Sequence, residues 1–286
     1  MSAQTTTVAF HKLHGCGNDF VFIDNRQLAL PVEAMEQWAI QICRKAFGVG
    51  ADGLVFLENA PEGPEGLGAD YRWHFYNADG SRAEMCGNAS RCASLLAVEL
   101  GFAGTEHSFL TDAGIVRAKV DVENSSAKVE LTAPCDAALN TSLTINGQDY
   151  PVQFVNTGVP HAVVFLESAE ALAALDIRAM GLALRSHEHY APAGTNANFA
   201  AIIDPTHIHL RTYERGVEDE TYACGTGSAA TAYLANALGQ AESSVSIKSS
   251  GGEILGIDLE GGVFLSGKAV KVFTGELNLA SVGLSI

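Results

Sequence analysis

The chain has 286 residues, of which 47% are hydrophobic and 29 are glycine, which suits two globular domains of roughly 140 residues each. Its net charge of −16, with only 17 Lys and Arg residues, argues against binding to nucleic acid or to an anionic membrane surface. No apolar run reaches the roughly 20 residues of a membrane span, and the first seven residues lack the basic and apolar segments of an export signal. We therefore expect a cytoplasmic protein.

Six cysteines are present, and we expect them to be reduced because a chain of this size does not need disulfide bonds for stability. No Cys-x-x-Cys pair occurs, so the sequence predicts no zinc site and no other metal site. Four of the cysteines are expected to act as small buried residues: Cys16, Cys43, Cys92 and Cys135.

The first half of the chain alternates apolar residues with turn signals, which predicts strands at 8–13, 20–24, 54–57, 72–76, 107–111, 115–121 and 127–132. An amphipathic helix is predicted over 32–46, with Trp38, Ile42 and Ala46 on one face. The glycines at 48–53 predict a tight turn, and residues 59–69 predict an exposed loop. A run of small residues predicts a second helix from Gly87 to Glu99.

The second half repeats this scheme after residues 134–140, the expected passage between domains. Strands are predicted near 150–156, 162–166, 198–203, 207–213, 244–249, 253–259, 262–266 and 269–277, with a helical stretch over 168–184. Another helix of small residues is predicted from Gly225 to Leu238. We predict an α+β fold with two pseudo-symmetric domains, each a central helix wrapped by a mainly antiparallel β-sheet or barrel. The domains are expected at 1–134 and 135–274, with the C-terminal strand at about 275–286 packing on the first.

Two cysteines begin nearly the same phrase, Cys-Gly-polar, each ten or eleven residues after a tyrosine. The phrases are Met85-Cys86-Gly87-Asn88 and Ala223-Cys224-Gly225-Thr226, and the cysteines lie 224 − 86 = 138 residues apart, close to half of the chain. Each phrase opens a predicted helix. This duplication predicts a symmetric site with two acid/base groups.

A thiol at a helix N-terminus lies at the positive end of the helix dipole, beside backbone N–H groups that have no intrahelical partner. Both features stabilise a thiolate, so the sulfur can act as a base near neutral pH. The same N–H groups can hold a carboxylate. If both helix ends face one amino acid, one thiolate removes the α-proton and the opposite thiol returns a proton on the other face. Such an inversion requires no metal, nicotinamide or pyridoxal phosphate.

These phrases and several other segments resemble the motifs of diaminopimelate epimerases, in the family's order and over essentially the whole chain. The other segments are His14-Gly15-Cys16-Gly17-Asn18-Asp19-Phe20, Gly48-Val49-Gly50-Ala51-Asp52-Gly53, Asn77-Ala78-Asp79-Gly80-Ser81, Thr157-Gly158-Val159-Pro160-His161 and Tyr213-Glu214-Arg215-Gly216. The resemblance implies interconversion of LL- and meso-diaminopimelate without a cofactor, in lysine and peptidoglycan precursor synthesis. It also implies two similar domains with the active site in the cleft between them, and a homodimer.

The resemblance assigns Cys86 and Cys224 as the two acid/base groups. His161 resembles the histidine that assists the first cysteine, and Glu214 the glutamate near the second. The residues alone favour a structural role for His161, beside a proline turn. Substrate contacts carry over to Asn18, Asn77, Asn196, Glu214, Arg215 and the backbones of Gly87, Asn88, Gly225 and Thr226. Arg215 is expected to pair with the distal carboxylate, which its planar fork suits.

Four residues, in three segments, depart from the family's common pattern. Val159 stands where many members have Asn, which removes a polar contact to the distal end of the substrate. Gly53 stands where some members have Gln. Ala89-Ser90 replaces the commoner Gly-Ala after the first phrase.

Other readings remain open. A related cofactor-independent racemase, acting on histidine, glutamate or a proline-like substrate, is the nearest alternative, although proline-type enzymes carry His where this chain has Asn88. A thiol redox protein with a Cys86–Cys224 disulfide is a second alternative. A binding module without catalysis is a third.

Overall fold

The computed structural model describes residues 6–66 and 68–286. The first five residues, part of the segment from which no export signal is predicted, lie outside the described residues, as does residue 67 of the predicted loop over 59–69. Within the described ranges, no helix is long and apolar enough to cross a membrane. The chain forms two compact units, one extending to Val129 and including Lys268–Ile286, the other comprising Glu130–Gly267. Their limits fall a few residues before the expected boundaries at 134 and 274.

The first unit contains strands from the N-terminal half together with the last strand of the chain. Its elements are β1 (Thr7–Gly15), β2 (Asn18–Asp24), α1 (Asn25–Leu28), α2 (Val32–Ile42), β3 (Gly53–Asn59), β4 (Tyr71–Asn77), α3 (Gly87–Glu99), β5 (Glu106–Thr111), β6 (Gly114–Asp121), β7 (Ser126–Leu131) and β17 (Val270–Asn278), with 3₁₀ turns at Pro64–Gly66 and Leu279–Val282.

Strand pairing in this unit is mainly antiparallel. The hydrogen-bonded order is β17–β1–β2–β3–β4–β5–β6–β7, in which only β2–β3 and β4–β5 are parallel. Each parallel pair is connected through helices, because parallel neighbours need a crossover whereas antiparallel neighbours can be joined by a short turn.

The central strands β2 and β3 are buried on both faces, which explains their unbroken apolar sequences. On one face, Val21 and Phe56 belong to the same apolar cluster as Met35, Trp38 and Ile42 of α2. Because side chains alternate along a strand, the neighbouring residues of β2 and β3 face the other side, where α3 packs.

Helix α2 ends at Ile42, four residues before the predicted end at Ala46, so that prediction was wrong. The Ile42 carbonyl accepts hydrogen bonds from the amides of Val49 and Gly50 at 2.8 and 3.1 Å, which turns the chain back on itself. Ala46 has a φ of 67°, outside the helical range. A Cβ atom on Gly48 would collide with backbone oxygens of the helix, so this turn requires glycine.

Helix α3 begins at Gly87 as predicted and is enclosed on all sides. Its residues from Gly87 to Ala97 are all buried. A helix that is surrounded in this way needs small residues where neighbouring strands approach closely, and Ala, Ser and Gly supply them.

The second unit contains the remaining elements. They are β8 (Cys135–Ile145), β9 (Gln148–Asn156), β10 (Pro160–Leu166), α4 (Ala169–Ala174), α5 (Ile177–Arg185), β11 (Asn196–Asp204), β12 (His207–Glu214), β13 (Asp219–Thr221), α6 (Gly225–Ala237), β14 (Ser244–Lys248), β15 (Ile254–Asp258) and β16 (Val263–Lys268), with a 3₁₀ turn at Glu188–Tyr190.

The second unit repeats the topology of the first. Its order is β8–β9–β10–β11–β12–β14–β15–β16, with only β10–β11 and β12–β14 parallel, and β13 is an additional hairpin strand on β12. Helix α6 packs against strands of this unit as α3 does in the first. The position that β8 holds beside β9 is held in the first unit by β17, beside β1. The predicted α+β class, with a mainly antiparallel sheet around a small-residue helix, is confirmed.

Two predicted segments of the second half differ in the structure. Residues 135–140, predicted as part of a passage between domains, belong to strand β8. This part of β8 is exposed and has two register shifts, with Asp136 and Asn140 both at a φ of 55°, so it lacks the alternation that marks a strand in sequence. Cys135 is consequently exposed rather than buried, whereas Cys16, Cys43 and Cys92 are buried as expected.

The helical stretch predicted over 168–184 is two helices. Leu175 is extended (ψ 129°) and ends α4, and the Asp176 carboxylate then accepts a hydrogen bond from the Ala179 amide and caps α5.

Replacing Gly181 with alanine tests how closely α5 packs on β12. A Gly-to-Ala change inside a helix normally stabilises by about 1 kcal/mol. Here the added Cβ would lie 2.5 Å from Tyr213 Cγ, so we expect Gly181→Ala to lower the free energy of unfolding by about 1–3 kcal/mol. Thermal or urea unfolding measures the effect, with the exposed Leu182→Ala as control. A more stable Gly181→Ala variant would show that the contact is looser than described.

Candidate active site

Cys86 is the residue that precedes helix α3. Its backbone is extended, with φ −149° and ψ 119°, and its side chain makes no capping hydrogen bond. The first amides of α3, which follow directly at Gly87 and Asn88, have no carbonyl partner inside the helix. Cys86 is only partly buried, whereas Gly87 and Asn88 at the helix start are buried.

A chain of side-chain amides leads from Cys86 to Asp52. Cys86 Sγ lies 3.9 Å from Asn18 Oδ1, and Asn88 Nδ2 donates to the same oxygen at 3.3 Å. Asn18 Nδ2 donates to Asp52 Oδ2 at 2.6 Å, and the Asp19 amide donates to that oxygen at 3.1 Å. Asn18 is thus held at the start of β2 with its carbonyl oxygen towards the sulfur.

Arg91 lies beneath this network and is fully buried. Its guanidinium donates to Asn88 Oδ1 at 2.9 Å, to the Gly87 carbonyl at 3.2 Å and to Cys16 Sγ at 3.3 Å. Because every N–H of a guanidinium is a donor, Arg91 fixes the oxygen of the Asn88 amide on its own side. Asn88 therefore points its NH₂ group at Asn18.

Gly53 and Asn77 lie at the same edge of the sheet as Asn18. Asn77 ends β4 and faces Gly53, the first residue of β3, which in turn pairs with Phe20 of β2. The Asn77 side chain is exposed and donates to Ser81 Oγ at 3.0 Å. A Cβ on Gly53 would lie 2.6 Å from Phe75 Cε2, so the close packing here suits glycine.

Cys224 precedes α6 as Cys86 precedes α3. Its Sγ accepts a hydrogen bond from the Gly227 amide at 3.4 Å, and Thr226 Oγ1 lies 3.4 Å from the same sulfur. A Cβ on Gly227 would lie 3.3 Å from Cys224 Sγ and 2.6 Å from Asn198 Oδ1, so glycine at this position lets the backbone approach the sulfur.

His161 connects to Cys224 through Thr226. The imidazole is fully buried, with Nε2 3.0 Å from Thr226 Oγ1 and Nδ1 3.1 Å from Asn198 Nδ2. Burial, with a smaller contribution from the positive charge of Arg215, lowers the pKa of His161 to about 3. The side chain is therefore neutral near pH 7. Its expected assistance to Cys86 stays a prediction.

The remaining predicted contacts of the second unit lie at the ends of β10, β11 and β12. Asn196 Oδ1 accepts from the Arg215 amide at 2.8 Å, and Asn196 Nδ2 donates to the Pro160 carbonyl at 3.1 Å. The Arg215 guanidinium donates to the Ala193 carbonyl at 3.3 Å. Within residues 6–66 and 68–286, no carboxylate pairs with Arg215, which leaves its charge available to an anionic ligand.

Glu214, the last residue of β12, is largely enclosed. Burial raises the pKa of its carboxyl group, an effect that a hydrogen bond from the Thr221 hydroxyl partly offsets. Val159 is half-buried in the turn between β9 and β10, where its carbonyl accepts from the Thr157 amide at 3.1 Å. Its side chain is apolar and offers no hydrogen-bonding group at this position.

The structure brings the predicted residues together in two groups. The first half-site comprises Asn18, Gly53, Asn77, Cys86, Gly87 and Asn88. The second half-site comprises Val159, His161, Asn196, Glu214, Arg215, Cys224, Gly225 and Thr226.

Asp52, Arg91 and Asn198 contact these groups but were not among the predicted site residues. Asp52 and Arg91 lie within or next to motifs that the sequence singles out, but their partners, Asn18 and Cys16, are 34 and 75 residues away in the chain. Asn198 carried a local signal, because it stands two residues after Asn196 and so on the same face of β11.

The burial of Arg91 makes its replacement by lysine a test of the first half-site. One ammonium group cannot satisfy the separate acceptors that the guanidinium reaches, so we expect Arg91→Lys to lower the free energy of unfolding by about 2–4 kcal/mol. Urea unfolding measures the change. The control is Arg178→Lys, whose side chain is 77% exposed and pairs with Asp219, and which should cost less than about 1 kcal/mol. Equal effects of the two substitutions would refute this role for Arg91.

Comparison with known proteins gives a consistent result. A family model described as diaminopimelate epimerase matches residues 10–135 and 153–276. A diaminopimelate epimerase of Aquifex aeolicus is 42% identical over 279 residues, covering 94% of this chain and 97% of the relative. One of Archaeoglobus fulgidus is 39% identical over 285 residues, covering 95% and 97%.

Solved structures share the fold at low sequence identity. A hydroxyproline epimerase from Agrobacterium vitis superposes with a TM-score of 0.69 at 14% identity, covering 98% of this chain and 96% of that one. A PhzF-family phenazine biosynthesis protein from Bacillus anthracis also gives 0.69, at 17% identity and with 95% and 99% covered. At these identities the likeness concerns the fold alone.

Proposed function

Because the chain belongs to the diaminopimelate epimerase family, we propose that it interconverts LL- and meso-diaminopimelate, with Cys86 and Cys224 as the two acid/base groups and without a cofactor. The observation that carries the proposal is the repeated placement of a cysteine directly before a buried helix of small residues. Each placement offers a sulfur next to backbone donors that lack a partner within the helix.

The chemistry requires a base and an acid on opposite faces of one α-carbon. One sulfur, as thiolate, takes the α-proton and becomes a thiol, while the other, as thiol, delivers its proton to the opposite face and becomes a thiolate. The electron pair released at the α-carbon spreads into the neighbouring carboxylate. Backbone N–H groups at the helix starts, from Gly87 and Asn88 and from Gly225 and Thr226, stabilise that charge.

The substrate's distal end requires other contacts. We assign its carboxylate to Arg215, which has no described carboxylate partner, and its polar groups to Asn18, Asn77, Asn196 and Glu214. A planar guanidinium favours a bidentate carboxylate. Val159 and Gly53 add no polar side chain to this end, so we expect recognition to depend on the asparagines and the arginine.

His161 and Glu214 complete the proposal as supporting residues. His161 is neutral and hydrogen-bonded through Thr226 towards Cys224, which suits orientation rather than proton transfer. A homodimer and a cytoplasmic location, implied by the family and by the sequence respectively, stay predictions.

Hydrogen exchange at the α-carbon tests the proposed reaction. We expect the reduced protein, incubated with LL-diaminopimelate in deuterium oxide, to form meso product that carries deuterium at the inverted carbon. Mass spectrometry and chiral chromatography follow both events. Histidine, glutamate and proline serve as comparison substrates. Exchange with one of these and none with diaminopimelate would replace the proposed substrate, and binding without any exchange would identify a non-catalytic module.

Single substitutions of the two cysteines test the two-base mechanism. Cys86→Ala and Cys224→Ala should each lower epimerisation by at least about 10³-fold, because either change removes one of the two proton carriers. Cys135→Ala is the matched control, since that thiol is exposed on β8, and it should retain full activity. Near-normal turnover by either active-site variant, with the fold intact by circular dichroism, would rule the mechanism out.

A further inference from the structure

In the second half-site a chain of hydrogen bonds leads from Asn198 through His161 and Thr226 to Cys224 Sγ. Each group in this chain donates towards the sulfur. Asn198 is fully buried, and its Nδ2 lies 3.0 Å from the Ala162 carbonyl, which can only accept. Its Oδ1 accepts from the Thr212 hydroxyl at 2.9 Å. The amide orientation is therefore fixed, and Nδ2 also donates to His161 Nδ1.

This orientation determines the tautomer of His161. Since Nδ1 accepts, a neutral imidazole carries its proton on Nε2 and donates it to Thr226 Oγ1, 3.0 Å away. The Thr226 hydroxyl then has its own hydrogen available for Cys224 Sγ at 3.4 Å. Together with the Gly227 amide, two donors are directed at this sulfur, an arrangement that favours thiolate.

In the first half-site the hydrogen bonds are donated away from the sulfur, towards Asp52. The Asp52 carboxylate accepts from Asn18 Nδ2, which turns Asn18 Oδ1 towards Cys86 Sγ. Asn88 cannot reverse this arrangement, because Arg91 holds its oxygen and leaves its NH₂ group for the same Asn18 oxygen. Cys86 thus faces a hydrogen-bond acceptor. A thiol can donate to this oxygen, whereas the oxygen would repel a thiolate.

We propose that Asn198 and Asp52 are positioning residues that give the two sulfurs opposite hydrogen-bond environments, so that in the substrate-free protein Cys224 is held as thiolate and Cys86 as thiol. The inference rests on the proposed function. The resting protein is then prepared to take the α-proton that faces Cys224 and to deliver the proton of Cys86. Afterwards Cys224 is the thiol and Cys86 the thiolate, and the reverse reaction or proton exchange with water restores the starting state.

Charged groups around the two sulfurs contribute unequally. Among the described residues of the second half-site, Arg215 and Glu214 carry ionisable groups and His161 is neutral. Near the first, Asp52 and Asp19 lie beside Asn18, Lys12 pairs with Asp19 at 2.5 Å, and Arg91 lies behind Asn88. The two carboxylates favour a thiol at Cys86, whereas Lys12 and Arg91 oppose them, so the direction of the Asn18 hydrogen bond is the distinguishing feature.

The pH dependence of thiol alkylation tests this inference without substrate. Iodoacetamide reacts with the thiolate, and peptide mass spectrometry gives the rate at each cysteine separately. In the reduced wild-type protein we expect the midpoint of the rate–pH curve for Cys224 to lie below that for Cys86. The exposed Cys135 serves as internal reference and should behave alike in all variants. A lower midpoint at Cys86 would overturn the assignment.

Three substitutions separate the two positioning groups. Thr226→Val, which removes the hydroxyl, should raise the Cys224 midpoint by about one pH unit, and Thr226→Ser should restore it. Asn198→Leu should raise the same midpoint in the wild-type background and have little effect in Thr226→Val, because both act through one relay. Asp52→Asn, which removes the negative charge that Asn18 Nδ2 contacts and weakens the hold on the Asn18 amide, should lower the Cys86 midpoint by about one pH unit.

Unchanged midpoints in Thr226→Val or in Asp52→Asn, with native circular dichroism, would refute the corresponding half of the inference. Thr226 and Asp52 lie in different units. If one variant misfolds, the other still tests its own half of the inference. Failure here is distinguishable from failure of the proposed function. Alkylation reports the resting thiols whether or not diaminopimelate is the substrate, and deuterium exchange reports the reaction whichever sulfur is ionised at rest.

Discussion

The amides at the start of an enclosed helix, which have no partner inside the helix, are the feature on which the candidate site depends. Side chains of α3 are buried from its first residue through Ala97, so almost nothing along its length meets water. The N-terminal N–H groups therefore need an acceptor at that one end. The residue before the helix would ordinarily be Ser, Asp or Asn, which satisfies one such donor itself. Cys86 makes no side-chain capping bond at this position.

Because the two helices are enclosed by strands, their residues pack closely against neighbouring groups. Glycine lets the chain approach its neighbours closely at the start of α6, where a Cβ on Gly225 would lie 2.8 Å from Leu265 Cδ2. Gly227 shows the limit most clearly, because a Cβ there would meet both Asn198 Oδ1 and Cys224 Sγ.

Sequence patterns predicted the elements whose signals are local. The starts of α3 and α6, and the strands with strong apolar alternation, agree with the structure to within a few residues. The end of α2 was missed because Ala46 adopts a positive φ, which its residue type does not indicate. The start of β8 was missed because an exposed, irregular edge strand carries no apolar alternation.

Some residues of the candidate site could likewise be predicted from local sequence, and others could not. Both cysteines and the residues near them are recognisable from short motifs. Asp52 and Arg91 are not, since their importance arises from hydrogen bonds to residues distant in the chain. Which way an amide points is a property of its neighbours in space, so the direction of the hydrogen bonds at each sulfur required the folded structure.

The two units share one topology, so the residues at equivalent strand ends can be compared directly. Strand β2 corresponds to β10, and the residues near their starts differ: Asn18 begins β2, whereas His161 is the second residue of β10. At the matching ends of β4 and β12 lie Asn77 and Glu214. A reaction with one acid and one base needs one sulfur as thiol and the other as thiolate, and unequal environments decide which of the two holds the proton at rest. The repeated fold supplies two helix starts, and a carbonyl acceptor in one unit against an imidazole–hydroxyl donor relay in the other makes them unequal.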